Sequence, residues 1–271
     1  MKKIPIFQVD AFTKTPFSGN PAAVCILEEE KSADWMQKVA MEMNLSETAF
    51  VEPLPEGEYS LRWFTPTVEV DLCGHATIAT AHVLLTEGYH KSGHEAIKFH
   101  TKSGALGAEK HGETIKLDFP LEKESEEKES QPLLKALGID SNSVNYVGKG
   151  RYDHLVEVAS PKSVQEVNPD LKALEKVTQR GAIVTSQSSD EAYDFISRFF
   201  APAAGVDEDP VTGSAHCLLA PYWGQKLEKN ALWGYQASQR GGAVGVEVEY
   251  SRERVHLYGH SITVFKGHFV N

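Results

Sequence analysis

Along this chain, apolar residues fall in short alternating or continuous runs far more often than at helical spacing. Ile4–Phe12, Pro21–Leu27, Leu45–Val51, Tyr59–Phe64, Ala96–Thr101 and Thr114–Phe119 predict strands in the first half. Ser143–Val147, His154–Val158, Ala182–Ser186, Tyr193–Phe200, Gly245–Tyr250, Arg254–Tyr258 and Ile262–Phe265 predict them in the second. Helical periodicity is rarer. Ser32 is placed to cap a helix with the apolar face Trp35, Met36, Val39, Ala40 and Met43, and Pro169 and Asp170 open another. Two segments, His75–Glu87 (HATIATAHVLLTE) and Ser214–Trp223 (SAHCLLAPYW), are apolar nearly all round. A helix without a polar face belongs in the interior. The pattern predicts two lobes, each of strands wrapped around one buried central helix.

The lobes also read as copies of each other. Arg62-Trp63-Phe64-Thr65-Pro66 is matched 136 residues later by Arg198-Phe199-Phe200-Ala201-Pro202. Each is followed by a Gly-polar-Ala step, Gly74-His75-Ala76 and Gly213-Ser214-Ala215, and then by the apolar helix. Internal duplication is the natural reading of such a repeat. Between the halves lies LEKESEEKES (121–130), bracketed by Pro120 and Pro132 and rich in glutamate, which reads as a solvated linker. The expected organisation is therefore 1–120, linker 121–130, and 131–260, with the last strand, 261–271, able to rejoin the first lobe.

Composition narrows the function classes. The 271 residues carry 27 Lys+Arg against 38 Asp+Glu, a net charge of −11. An acidic chain lacks the basic footprint that nucleic acid or an anionic membrane surface requires. No apolar run approaches membrane-spanning length, and the first residues do not form a signal peptide. The three cysteines, Cys25, Cys73 and Cys217, are far apart and lack metal-type spacing, so no structural metal or disulfide scaffold is expected. The chain reads as a reduced, soluble, cytoplasmic protein. It lacks a Walker loop, GxGxxG, HExxH and GxSxG; GGAVG (241–245) falls short of a dinucleotide fingerprint.

A few residues stand out against this background. Strand alternation puts Glu47 on the face of Leu45, Ala49 and Val51. A carboxylate on an apolar face is either satisfied by amides or a cation such as Arg62, or poised for acid–base chemistry. The amides at Gly74 and Gly213, at the starts of the buried helices, are either anion sites facing a common cleft or simply tight turns. His75, at a helix N-terminus, is expected to have its pKa lowered and to act as a neutral donor. Asp209, beside Pro210 and Thr212-Gly213-Ser214, is placed to reach the same cleft, whereas Asp207 and Glu208 read as surface loop. Cys73 precedes Gly74, so a thiolate there is conceivable; Cys217, inside an apolar helix, reads as inert core. His90, His94, His100 and His111 read as scattered surface residues.

FQVDAFTKTPFSGNPAAV (7–24), MNLSETAFV (43–51), FTPTVEVDLCGHATIATAHVL (64–84) and FFAPAAGVDEDPVTGSAH (199–216) together resemble the phenazine-biosynthesis isomerases, the PhzF-like family. The resemblance spans both lobes. It implies an α+β, diaminopimelate epimerase-like fold of two pseudo-symmetric lobes, each a mostly antiparallel, barrel-like sheet around a central buried helix, with the site between the lobes, no metal, no organic cofactor, and commonly a homodimer. It places the family's catalytic glutamate on Glu47 and its cleft histidine, aspartate and serine on His75, Asp209 and Ser214, with Gly74 and Gly213 at the helix ends. The implied reaction moves a proton between carbons of a small carboxylate-bearing metabolite. Glu47 would be the shuttle, with Asp209 and His75 assisting, and Ser214 and the two glycine amides would hold the carboxylate. The epimerase relatives use two cysteines; Cys73 matches one position, but Thr212 occupies the other. That disfavours a cysteine-dependent epimerase, which remains a rival, as does a non-catalytic small-molecule-binding protein on the same fold.

Overall fold

The computed structural model describes residues 3–90, 96–128 and 130–270. His94, Glu129 of the acidic run and the terminal Asn271 lie outside the described residues. The chain divides into two compact units, Met1–Asp118 with Tyr258–Asn271, and Phe119–Leu257.

In chain order the first stretch holds β1 (Lys3–Ala11), β2 (Asn20–Ile26), α1 (Ala33–Met43), β3 (Glu47–Pro53), β4 (Tyr59–Phe64), β5 (Glu69–Val70), α2 (Gly74–Thr86), β6 (Ala96–Thr101), β7 (Gly104–His111) and β8 (Thr114–Pro120). The second holds β9 (Ser125–Glu126), α3 (Gln131–Leu137), β10 (Val144–Lys149), β11 (Asp153–Val158), α4 (Pro161–Gln165), α5 (Leu171–Val177), β12 (Gly181–Gln187), β13 (Phe195–Phe200), α6 (Gly213–Leu227), β14 (Ala231–Gln236), β15 (Gly242–Glu249) and β16 (Arg254–Gly259). The last strand, β17 (Ser261–Val270), returns to the first unit and lies antiparallel to β1.

Pairing repeats between the units. In the first, β1/β2 is antiparallel, β2/β3 parallel, β3/β4 antiparallel, β4/β6 parallel and β6/β7 antiparallel. In the second, β10/β11, β11/β12, β12/β13, β13/β14 and β14/β15 follow the same succession. Parallel neighbours require a crossover. In each unit the first crossover carries surface helices, α1 in one and α4 with α5 in the other, and the second carries the buried helix, α2 or α6. Each repeated arginine also finds the same kind of partner: Arg62 is bidentate to Glu69 at 2.7 and 2.9 Å, and Arg198 to Glu208 at 2.7 and 2.9 Å. Glu208 is thus a paired residue rather than the free surface acid expected of its loop.

The buried helices stay helical because their polar groups are answered internally. On α2 the hydroxyls of Thr77 and Thr80 donate to the carbonyls of Cys73 and Ala76 at 2.6 and 2.7 Å, so both threonines are tolerated in the core. On α1, Ser32 accepts from the Trp35 amide at 3.3 Å, as the capping signal predicts. Met36, Val39 and Ala40 of that helix pack on Phe50 and Phe64, whose rings meet edge to face with centroids 5.5 Å apart.

The acidic run has more structure than a linker. Pro221 inside α6 has no amide hydrogen for the carbonyl four residues back, at Cys217. The amide of Glu122 donates to that carbonyl at 3.3 Å, Leu121 donates to Glu253 at 2.9 Å, and Glu127 to Val147 at 3.0 Å. β9 then pairs with β10, and Glu127 pairs with the buried His154 at 2.6 Å, so the run is tied to the second unit by backbone and side chain.

The sequence pattern predicts neither β7 nor β14. In β7 only Ala108 is buried, so no alternation exists. In β14 a glycine interrupts the run, because a Cβ at Gly234 would sit 2.3 Å from the Phe195 ring. Among the described residues no helix is long and apolar enough to cross a membrane.

Ile78, fully buried on α2, tests how far the first unit depends on this helix. Ile78→Ala should destabilise the protein by roughly 2–5 kcal/mol, read as a lower urea midpoint; an unchanged midpoint would contradict the packing described.

Candidate active site

The site in the first unit follows from strand register. β2 and β3 run parallel with Ala22 opposite Glu47. Residues two apart on a strand share a face, so Asn20, Ala22 and Glu47 point the same way. Gly19 delivers the chain to Asn20 at φ +66°, and a Cβ there would come 2.1 Å from the Ala11 carbonyl oxygen. His75, on the first turn of α2, meets this face. Its Nε2 lies 3.1 Å from Glu47 Oε2 and its Nδ1 3.2 Å from Asn20 Nδ2. The Cys73 thiol lies 3.5 Å from the same Nδ1. Asn20, Cys73 and His75 are buried and Glu47 nearly so. Among the described residues neither Glu47 Oε2 nor His75 Nε2 has a hydrogen-bond partner, and the two atoms stand at ion-pair distance. Arg62, the cation available to satisfy Glu47, is committed to Glu69.

Burial works against charge on His75, but the acidic groups beside it, Cys73 and Glu47, more than offset this and raise its pKa above the ordinary 6.5. The lowering expected from the helix N-terminus is overturned, because a carboxylate at 3.1 Å outweighs the end of a helix. Cys73 moves the other way from a reactive thiol. Burial raises its pKa, the Glu47 charge adds to that, and His75 offsets only part. The residue is a protonated thiol at the N-cap of α2, not a thiolate. Burial also pushes Cys217 up to about 12, in keeping with inert core.

Glu47, Cys73 and His75 each present a possible metal-ligand atom, all within 4.8 Å of one another. The thiol lies against Nδ1 and the carboxylate against Nε2, on opposite sides of the ring. A cation bound at one nitrogen turns away from the residue at the other, so the arrangement suits proton movement better than chelation.

The second unit gathers Asp209, Gly213 and Ser214 at the start of α6. The Thr212 hydroxyl donates to Asp209 Oδ2. Gln236, fully buried, ties the turn together: its Oε1 accepts from the Thr212 amide at 2.9 Å, and its Nε2 donates to the Asp209 carbonyl at 2.7 Å. Among the described residues neither α2 nor α6 has a side-chain cap hydrogen bond. His216, one turn along, donates to the Thr212 carbonyl at 2.8 Å, and burial lowers its pKa to about 4, which keeps it neutral.

Asn20 and Gln236 were missed by sequence reasoning. The available signal was a lone polar residue at the end of an otherwise apolar strand, in GNPAAVCI and ALWGYQ. The duplicated register also shows why only one unit has a glutamate. Ala22 pairs with Glu47 as Asp153 pairs with Gly181. A Cβ at Gly181 would lie 2.6 Å from both the Phe199 ring and the Phe200 carbonyl, so no side chain fits the equivalent position.

A family model described as phenazine biosynthesis-like protein (PhzC-PhzF) matches residues 9–267. An uncharacterized isomerase of Halalkalibacterium halodurans is 53% identical over 267 residues, covering 98% of each chain. The crystal structure of a PhzF-family protein of Enterococcus faecalis superposes with a TM-score of 0.92 at 39% identity, covering 100% of both chains. A predicted epimerase of Pseudomonas aeruginosa shares the fold, with a TM-score of 0.78 at 19% identity over 99% of each chain.

Two outcomes follow from the electrostatics. At neutral pH the folded chain should show Cys73 labelled by iodoacetamide no faster than the buried Cys25 and Cys217, by peptide mass spectrometry; rapid labelling confined to Cys73 would contradict the protonated-thiol assignment. Because the folded pKa of His75 is raised, its proton stabilises the native state fully below pH 6.5, and that contribution is lost as pH rises through the folded value. Urea stability should therefore fall more across this alkaline window in the native chain than in His75→Asn; parallel profiles would contradict it.

Proposed function

The chain belongs to the PhzC-PhzF family of phenazine biosynthesis-like proteins, and from that premise we propose that it is an isomerase which moves a proton between carbons of a small carboxylate-bearing metabolite, with Glu47 as acid and base. The observation that carries this reading is Glu47 Oε2, buried without a hydrogen-bond partner among the described residues and 3.1 Å from His75 Nε2. A single flexible carboxyl can take a proton from one carbon and return it to another if water is kept out.

His75 orients the carboxyl group and steadies its charge during transfer. Asp209, held by Thr212 and by the turn that Gln236 ties, assists at the substrate, and the amides at Gly74 and Gly213 with the Ser214 hydroxyl bind its carboxylate. Support for the anion role comes from the two helix starts, neither of which is capped by a side chain. On the same resemblance the protein acts in the cytoplasm as a homodimer, without metal or organic cofactor. A cysteine-dependent epimerase fits less well, because burial keeps Cys73 protonated and Thr212 stands where a second thiol is needed.

The test uses a panel of small carboxylic acids with acidic C–H groups, incubated with enzyme in D₂O and read by mass spectrometry. The native chain should introduce deuterium at carbon in at least one of them. Glu47→Gln should slow that exchange by about 10³-fold or more while its circular dichroism stays native, a loss at the upper end of the range for an acid–base group. Full exchange by the variant would sink the Glu47 role.

A further inference from the structure

We infer that Asn20 is a positioning residue that decides which nitrogen of His75 carries the proton, and so keeps it on the nitrogen beside Glu47. Its catalytic meaning rests on the proposed role of Glu47, but the assignment itself concerns only His75. Asn20 is fully buried, and its Nδ2 lies 3.2 Å from His75 Nδ1. An amide NH₂ can only donate, so the nitrogen it faces in the neutral ring must accept. The proton of the neutral imidazole is then left on Nε2, the nitrogen 3.1 Å from Glu47 Oε2. With Asn20 absent, the ring could turn over or exchange tautomers and present a lone pair to the carboxylate, which would repel it.

The placement is built into the backbone. Asn20 begins β2 two residues before Ala22, the residue opposite Glu47, so the amide and the carboxylate stand on one face, on either side of the imidazole. Gly19 fixes the approach, since its positive φ and its close packing on the Ala11 carbonyl exclude a side chain there. The Cys73 thiol, 3.5 Å from Nδ1, is a weaker donor to the same nitrogen and supports the same tautomer without being needed for it.

Long-range ¹H–¹⁵N correlation spectra of the full chain labelled with ¹⁵N-histidine test this directly, with His75 assigned by the loss of its signals in His75→Gln. Above the titration of His75, the native chain should show a protonated Nε2 and an unprotonated Nδ1. Asn20→Leu should give a mixture of tautomers. Asn20→Asp, nearly the same shape but able only to accept, should move the proton to Nδ1. Cys73→Ala should leave the native pattern unchanged. A native ring protonated at Nδ1, a native pattern kept in both Asn20 variants, or a change produced by Cys73→Ala instead would each overturn the inference. If Asn20→Leu does not fold, the native spectrum and Asn20→Asp still decide it. A protonated Nε2 in the native chain together with full carbon exchange by Glu47→Gln would overturn the Glu47 reading alone.

Discussion

The structure of the first unit turns on one constraint: Asn20, Glu47 and His75 are taken out of water together, at the point where a parallel strand pair meets the first turn of a buried helix. Removing such groups from water is costly, and the cost is offset by the Asn20–His75 hydrogen bond and by the ion-pair approach of His75 to Glu47. The surrounding sequence serves this arrangement. Gly19 bends the chain into β2, Thr77 and Thr80 satisfy themselves on α2, and Arg62 is held by Glu69, so that the cation facing the carboxylate is His75 and not Arg62.

Duplication explains how such a site can arise without two copies of it. The units repeat the same succession of strand pairings and the same arginine–glutamate clasp. They differ at the positions that carry chemistry. Glu47 is answered by Gly181, Cys73 by Thr212 and His75 by Ser214. Steric closure at Gly181 makes the first difference irreversible by a single substitution, since Phe199 and the backbone at Phe200 fill the space. In the proposed reaction the first unit supplies the base, and the second supplies the hydroxyl, amide and carboxylate groups that hold the substrate.

Much of this was legible in the sequence, for identifiable reasons. The two helices apolar on every side could only be interior, and the Ser32 cap fixed the start of α1. Glu47 stood out because a carboxylate interrupts an apolar strand. What could not be read depended on partners distant in sequence. The acidic run 121–130 looked like a linker until Pro221 was seen to leave the Cys217 carbonyl for Glu122. The direction of the His75 pKa shift followed from a carboxylate on another strand, not from its own helix. Asn20 and Gln236 are single polar residues whose meaning lies in register and cross-strand contact.

The central claim is that one carboxyl group, on Glu47, carries the proton from one carbon to another. The most direct measurement follows a substrate deuterated at the carbon that loses its proton, turned over in ordinary water, with product label counted by mass spectrometry at low conversion. A single shuttling carboxyl in a water-poor site predicts that part of the deuterium reappears at the new carbon of the same molecule. Product free of label from the first turnover onward would contradict a single shuttle and require separate groups for removal and return.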